Sequence, residues 1–353
     1  MTKQKTILVA PLNWGLGHAT RCIPIIKALQ EKGYQVLIGS DGVALSLLEK
    51  EFPGIECIEL PSYNIKYAKK GKNFKLKMIK DSPKMLKAMT NEKEVIKKLV
   101  KQGKIHGIIS DNRMGVRHKA IPCVFITHQL NVLSGSTSWL SSKMHQEVIK
   151  KFQECWVPDV QGKPNLSGKL GHLKNNSLPI KYIGPLSRLN KLEAITFYDL
   201  MVIISGPEPQ RTLLEEKLFE EVKMFNGKVL FVRGKIEAKQ VKFEFLNTTV
   251  FNFMNSESLE LAFNQSAMVL CRSGYTTIMD LAKLEKKAFF IPTPGQFEQV
   301  YLAKKLDKQG LAPYCKQDDF TIDQLKRMTN YTGFSSFDRQ TNLTDLFGLF
   351  EGE

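Results

Sequence analysis

The sequence contains no Cys-x-x-Cys pair, no histidines gathered at metal-ligand spacing and no apolar run long enough to cross a bilayer. Those absences exclude a zinc ribbon or finger, a disulfide framework and a helical membrane span. Its six cysteines, Cys22, Cys57, Cys123, Cys155, Cys271 and Cys315, stand far apart and read as reduced, mostly structural thiols. Also missing is any Gly-Lys-Ser/Thr triplet, which removes the P-loop nucleotide hydrolases from consideration. No low-complexity tract interrupts a composition that is 42% hydrophobic and 24% charged, so the chain is expected to bury proper cores. Residues Met1 to Thr6 are polar and lack the apolar centre of a signal peptide. A soluble, reducing, cytoplasmic setting is therefore expected.

Acidic residues are sparse: 35 Asp and Glu face 51 Lys and Arg, leaving a formal charge of +16. The imbalance concentrates between Pro61 and Lys104, where fourteen lysines are opposed only by Asp81, Glu92 and Glu94. Such a segment is either a solvated helical face or a docking surface for anions, and each lysine near an anionic membrane contributes about 1 kcal/mol. Leu76, Ile79, Met85, Leu86 and Met89 among the lysines make it amphipathic. That favours an anionic membrane surface and a protein peripheral to the inner face of the membrane. The aromatics there, Tyr63, Tyr67 and Phe74, match no base-stacking pattern, so nucleic acid is not an expected partner.

At 353 residues the chain exceeds the usual single domain, and two are expected. Apolar runs at Ile7 to Ala10, Gln35 to Ile38, Ile105 to Ser110 and Val124 to Thr127 alternate with helical stretches such as Cys22 to Glu31 and Val43 to Lys50. A second series follows at Leu200 to Ser205, Val229 to Val232, Thr249 to Phe253, Met268 to Cys271 and Ala288 to Ile291. This alternation predicts the α/β class, as two Rossmann-like domains facing a cleft. The expected domains are 1–190 and 197–335, with a linker near Ser187 to Thr196 and a tail, 336–353, packing back on the first domain.

Two glycine turns carry the chemistry. The first strand runs into Asn13-Trp14-Gly15-Leu16-Gly17-His18, and a helix follows. Gly15 and Gly17 let backbone approach a ligand at a helix start, although a tight βα turn uses the same residues and the third glycine of a dinucleotide fingerprint is missing. His18, at that helix start, suits a general base near neutral pH or a cap. Asp111 and His128, each at a strand end, are the alternative bases, or structural groups. The second turn follows Met268 to Cys271 as Arg272-Ser273-Gly274-Tyr275-Thr276-Thr277, with Asp280 further along the helix. Amides near Thr276 and Thr277 suit a diphosphate, and the Asp280 carboxylate suits two vicinal ribose hydroxyls. One strand later, Glu298 and Gln299 open another helix.

These segments resemble glycosyltransferase family 28, of the GT-B architecture, over most of the chain. Cys271-Arg272-Ser273-Gly274, Thr277 and Asp280 fall on the family's RSG-x-x-T-x-x-E pattern, Glu298-Gln299 on its acidic-Gln segment, and Gly15-x-Gly17-His18 on its N-terminal GxGGH-like loop. The resemblance implies an inverting, metal-independent transfer of a sugar, N-acetylglucosamine being one candidate. The donor would be a UDP-sugar, with no other cofactor, and the acceptor lipid-linked or a small molecule. It further implies that Asp280 binds the ribose, Arg272, Ser273, Gly274, Thr276 and Thr277 the phosphates, and Gln299 the donor sugar. His18 would lie near the reacting hydroxyl. The chain departs from the family where Asp280 replaces Glu, where Gln299-Val300 replaces a Gln pair, and where Ser205-Gly206-Pro207-Glu208-Pro209-Gln210-Arg211 replaces a GGS-like loop. Gly206 and Arg211 in that loop, and Arg233 after the next strand, are candidate phosphate, sugar or base contacts; an ordinary surface role fits Arg233 as well. A UDP-sugar epimerase and a non-catalytic nucleotide-sugar-binding protein are the alternative functions.

Overall fold

The computed structural model describes residues 4–63, 74–174, 177–206, 208–235, 237–335, 337 and 342–351. The chain passes from a first compact unit to a second between Arg188 and Leu189, and residues 342–351 belong to the first. The second unit thus begins ahead of the expected 197.

The first unit runs β1 (Thr6–Pro11), α1 (Leu16–Glu31), β2 (Gln35–Ser40), α2 (Gly42–Glu51), β3 (Cys57–Glu59), α3 (Phe74–Lys101), β4 (Gly107–Asp111), β5 (Cys123–Ile126), α4 (Ser138–Ile149), β6 (Glu154–Val157) and β7 (Ile180–Tyr182). Its strands form one parallel sheet in the order β3-β2-β1-β4-β5-β6-β7. Every residue of β4 and β5 is buried, as a parallel strand covered on both faces requires, which explains their unbroken apolar reading. The order reverses between β1 and β4, so the crevice at their carboxyl ends receives the Gly15 loop and Asp111. Phe347 and Phe350, near the carboxyl end of the chain, are 0% and 2% exposed. Phe350 occupies the space that a side chain at Gly107 would need, and the Phe347 ring meets Tyr34 edge-on at 6.1 Å.

The second unit runs β8 (Tyr198–Ile203), α5 (Gln210–Val222), β9 (Val229–Val232), β10 (Lys242–Phe245), β11 (Thr248–Phe251), α6 (Ser256–Asn264), β12 (Ser266–Cys271), α7 (Tyr275–Lys283), β13 (Lys287–Phe290) and α8 (Phe297–Lys308). Its sheet order is β10-β11-β9-β8-β12-β13, parallel except for β10, which pairs antiparallel with β11. Here the reversal lies between β8 and β12, and the turns at Gly206 and Arg272 emerge beside it.

Of the basic segment, residues 64–73 and the side chains of Leu76 and Ile79 lie outside the described residues, as does Pro207 in the second unit. The described part of α3 is amphipathic: Ala88, Glu92, Ile96 and Leu99 are buried, while Lys84, Leu86, Lys87, Lys93, Lys97, Lys98 and Lys101 are exposed. Among the described residues no helix is long and apolar enough to cross a membrane.

Candidate active site

In the first unit, Gly15 precedes α1 at φ 80°, a left-handed conformation that favours glycine, and no side chain caps the helix start. His18 follows in the first turn, with its side chain 14% exposed. Its Nδ1 lies 2.9 Å from Oδ1 of Asp111, the fully buried last residue of β4. The sequence reading brought these two residues together as alternatives; the fold makes them partners.

A third member escaped that reading. Arg21, 1% exposed, lies one turn beyond His18 on the same face of α1. Its Nε donates to Asp111 Oδ2 at 2.5 Å and its Nη2 to Asp111 Oδ1. Nη2 also meets His18 Nδ1 at 2.9 Å, and Nη1 meets His128 Nδ1 at 3.1 Å. A cation one turn after a candidate base was the only signal in the sequence, and an isolated helical Arg reads as solvent-facing. Burial, the largest influence, lowers the His18 imidazole from its ordinary 6.5; Asp111 opposes this, and Arg21 adds to it. Burial alone would raise the Asp111 carboxyl, but Arg21 and then His18 outweigh it and hold the group below the usual carboxylate range. His18 is thus a neutral imidazole with one ring nitrogen held by the cluster, which suits proton acceptance at the other.

Behind this cluster, Asn112 adopts φ 57°, so Asp111 and Arg113 enter different networks. Arg113 donates to Asp41, to Glu92 at 2.8 Å, and to the carbonyls of Pro11 (2.9 Å) and Pro61 (3.1 Å). Tyr63 completes it with a 2.7 Å bond to Glu92. This network ties the ends of β1, β2 and β4 to α3.

In the second unit, Gly206 has φ 113°, and α7 starts without a side-chain cap, whereas Asn255 accepts from Ser258 N at α6 and Glu208 Oε2 from Thr212 N in the first turn of α5. Gly274 is the residue before α7, Thr276 and Thr277 are partly exposed in its first turn, and Asp280 is partly exposed one turn on. Glu298 occupies the first turn of α8.

Five of the expected contact residues, Arg272, Ser273, Gln299, Arg211 and Arg233, are engaged within the fold. Arg272 is 1% exposed and donates to the carbonyls of Ile291, Pro292 and Gln210 and to Gln317 Oε1. Among the described residues no carboxylate pairs with it, and burial lowers its pKa to about 9. Ser273 spends its hydroxyl on the Gln299 carbonyl at 2.9 Å. Gln299 Oε1 in turn accepts from Thr293 N at 2.8 Å, so this side chain orders a loop. Arg211, 6% exposed, is held by Glu208 and Glu215, and Arg233 shares Glu215. In each case the fold supplies oxygens that the sequence alone does not place.

Three buried polar atoms nevertheless have no partner here: Arg272 Nε, Gln210 Oε1 and Thr293 Oγ1. Arg272 donates to the Gln210 carbonyl at the start of α5 and to that of Pro292, the residue before Thr293, in the loop after β13. An unmet buried polar atom costs about 1–3 kcal/mol, so this place favours a polar ligand.

Residues 206–332 match the family described as the glycosyltransferase family 28 C-terminal domain. A UDP-N-acetylglucosamine--N-acetylmuramyl-(pentapeptide) pyrophosphoryl-undecaprenol N-acetylglucosamine transferase of Haemophilus ducreyi is 24% identical over 321 residues, covering 88% of this chain and 84% of its own. A Clostridium botulinum protein of the same description is 25% identical over 336 residues, covering 89% and 87%. Among solved structures, Acinetobacter baumannii MurG aligns over 97% of both chains at 16% identity and TM-score 0.57. The spinosyn forosaminyltransferase SpnP aligns over 99% of this chain and 100% of its own at 12% identity and TM-score 0.66. With two parallel-dominated units and these matches, the chain has the GT-B fold and is similar to glycosyltransferases over most of its length, residues 206–332 matching the family 28 C-terminal domain.

Proposed function

We propose that the protein transfers a sugar from a UDP-sugar to a lipid-linked acceptor, with inversion and without a metal. The observation that carries this reading is the 2.9 Å approach of His18 Nδ1 to the buried Asp111 carboxylate at the switch point of the first unit. With Nδ1–H directed at Asp111, Nε2 takes the proton from the acceptor hydroxyl. The acceptor oxygen bonds to the anomeric carbon, and the bond from that carbon to the UDP oxygen breaks, leaving its electron pair on the diphosphate. The uncapped start of α7 stabilises that developing charge. For the donor, the reading gives Thr276, Thr277 and Gly206 to the diphosphate, Asp280 to the ribose and Glu298 to the sugar. Arg272, Arg211, Ser273 and Gln299 shape these turns from behind.

The names of the Haemophilus and Clostridium relatives support N-acetylglucosamine as the sugar and a polyprenyl diphosphate as the acceptor class. None of the proteins compared above is described as an epimerase, and that alternative has no support here. Exposed lysines and Leu86 on α3 support a cytoplasmic protein peripheral to an anionic membrane. The test is UDP release from UDP-N-acetylglucosamine and other UDP-sugars, with and without a bacterial lipid extract. Lipid-dependent release that His18→Ala abolishes is expected; release unaffected by His18→Ala would refute the assignment of the base.

A further inference from the structure

We propose that Arg21 is a positioning residue that gives two histidines of the first unit, His18 and His128, opposite roles, holding His128 as a hydrogen-bond donor and leaving His18 to accept the proton. This rests on the reading of His18 as the base.

The argument starts from donor inventory. A guanidinium donates and cannot accept. The 3.1 Å contact from Arg21 Nη1 therefore requires a bare Nδ1 on His128, and a neutral imidazole then carries its hydrogen on Nε2. Taking up a proton at Nδ1 would break that bond and set a second cation against a buried one. His18 is placed differently. Its Nδ1 lies 2.9 Å from both Asp111 Oδ1 and Arg21 Nη2. With Nδ1–H donated to Asp111, Nε2 is a base; with Nδ1 bare and accepting from Arg21, Nε2–H is a donor. Asp111 stands beside His18 to stabilise the imidazolium formed in turnover.

The charged and titratable groups facing His18 are Asp111 at the end of β4, Arg21 on its own helix, and His128 beyond β5; Cys22 Sγ approaches Asp111 at 3.7 Å, and His145 on α4 senses His128. Arg21 and Asp111 together are neutral, so the cluster accepts one further proton, on His18, and releases it readily. The fork of Arg21 spans three partners at once, and lysine, with one ammonium, cannot reproduce it.

The experiment is long-range 1H–15N correlation spectroscopy of the imidazoles in the full-length protein, with signals assigned by His18→Gln and His128→Gln. In the wild type, His128 is expected to show the Nε2–H tautomer at about pH 8, where free histidine is neutral. Arg21→Gln should release His128 into mixed tautomers and raise the proton affinity of His18 roughly tenfold, about one pH unit. Arg21→Lys keeps the charge and should restore the His18 midpoint without restoring the His128 tautomer. A wild-type His128 carrying its hydrogen on Nδ1 overturns the proposal, and so does an Arg21→Gln protein with both rings unchanged. If Arg21→Gln does not fold, the wild-type tautomer and the Arg21→Lys spectrum decide. Should His18→Ala retain transfer while these spectra behave as expected, the base assignment fails and the tautomer assignment of Arg21 stands.

Discussion

The Arg113 guanidinium lies 2.8 Å from the Glu92 carboxylate, and neither side chain keeps any exposed surface. Asp41 presses on the same guanidinium, so one cation serves two carboxylates, and burial leaves Glu92 with a raised pKa. Because Asn112 turns the chain between Asp111 and Arg113, this network and the His18 cluster share one bend of backbone.

Removing the cation should therefore cost more than removing one anion. Arg113→Met strands two buried carboxylates and should lower unfolding free energy by about 3–5 kcal/mol. Glu92→Gln keeps one acceptor oxygen, enough for Arg113 or for Tyr63 and the Gly115 amide but not for both sides, and should cost roughly half of that. Urea denaturation measures both, and equal losses would contradict the pairing.

His18→Gln should reduce kcat by about 10²–10⁴ while changing the donor KM little. Since burial lowers the His18 pKa, the neutral base persists below 6.5, and kcat/KM should fall only as pH drops through that lowered value. Asp111→Asn withdraws the carboxylate that stabilises the imidazolium and should lower kcat comparably. An acidic limb at or above 6.5 in the wild type would count against His18 as the group seen.

The strands flanking both switch points were legible because they are buried on both faces and so read as apolar runs, as at Ile7 to Ala10 and Met268 to Cys271. β10 was not: Lys242–Phe245 is an exposed edge strand whose alternating charges resemble a loop. β7, three part-buried residues, carries too little pattern to register. His18 and Asp111 were legible singly, as polar residues at element ends, but their pairing depends on β1 lying beside β4. The surroundings of Arg272 were illegible for the converse reason: its motif resembles a phosphate turn, while the oxygens around it come from residues 210, 291, 292 and 317.

His145 provides a stability prediction independent of catalysis. It is buried, its Nε2 has no partner, and it meets the Phe125 ring edge-on at 5.6 Å. Burial lowers its pKa from 6.5 to about 4, with His128 contributing. Below 6.5 the unfolded chain gains a proton that the folded chain refuses until about 4, so stability should drain across that window by at most roughly 3 kcal/mol. His145→Leu should flatten this part of the stability curve, measured by urea unfolding at several pH values. An unchanged slope would place the proton uptake elsewhere.

UDP should raise the melting temperature, by about 2.7 kcal/mol of stability at a hundredfold excess over Kd, or on the order of 5–10 °C. Under the proposed ribose role, Asp280→Asn should shrink that shift, measured against the melting temperature of the free variant. EDTA should leave both the shift and turnover unchanged under the metal-independent reading. A shift that vanishes with EDTA would replace that reading with a metal-bridged diphosphate.

The exposed lysines of α3 predict salt-sensitive attachment to anionic vesicles. Each contributes about 1 kcal/mol near such a surface, so replacing Lys93, Lys97, Lys98 and Lys101 with Gln should weaken partitioning by up to about 10³-fold. Stability should hardly change, because these side chains project away from the stripe of Ala88, Ile96 and Leu99. Raising ionic strength from about 0.1 M to about 1 M shortens the screening length from roughly 10 Å to roughly 3 Å and should release the wild type. Cosedimentation with vesicles of mixed neutral and anionic lipid measures both effects. Attachment that survives high salt and the fourfold substitution would assign it to apolar insertion, with Leu86 as the first side chain to test; no attachment at low salt would leave α3 a solvated face.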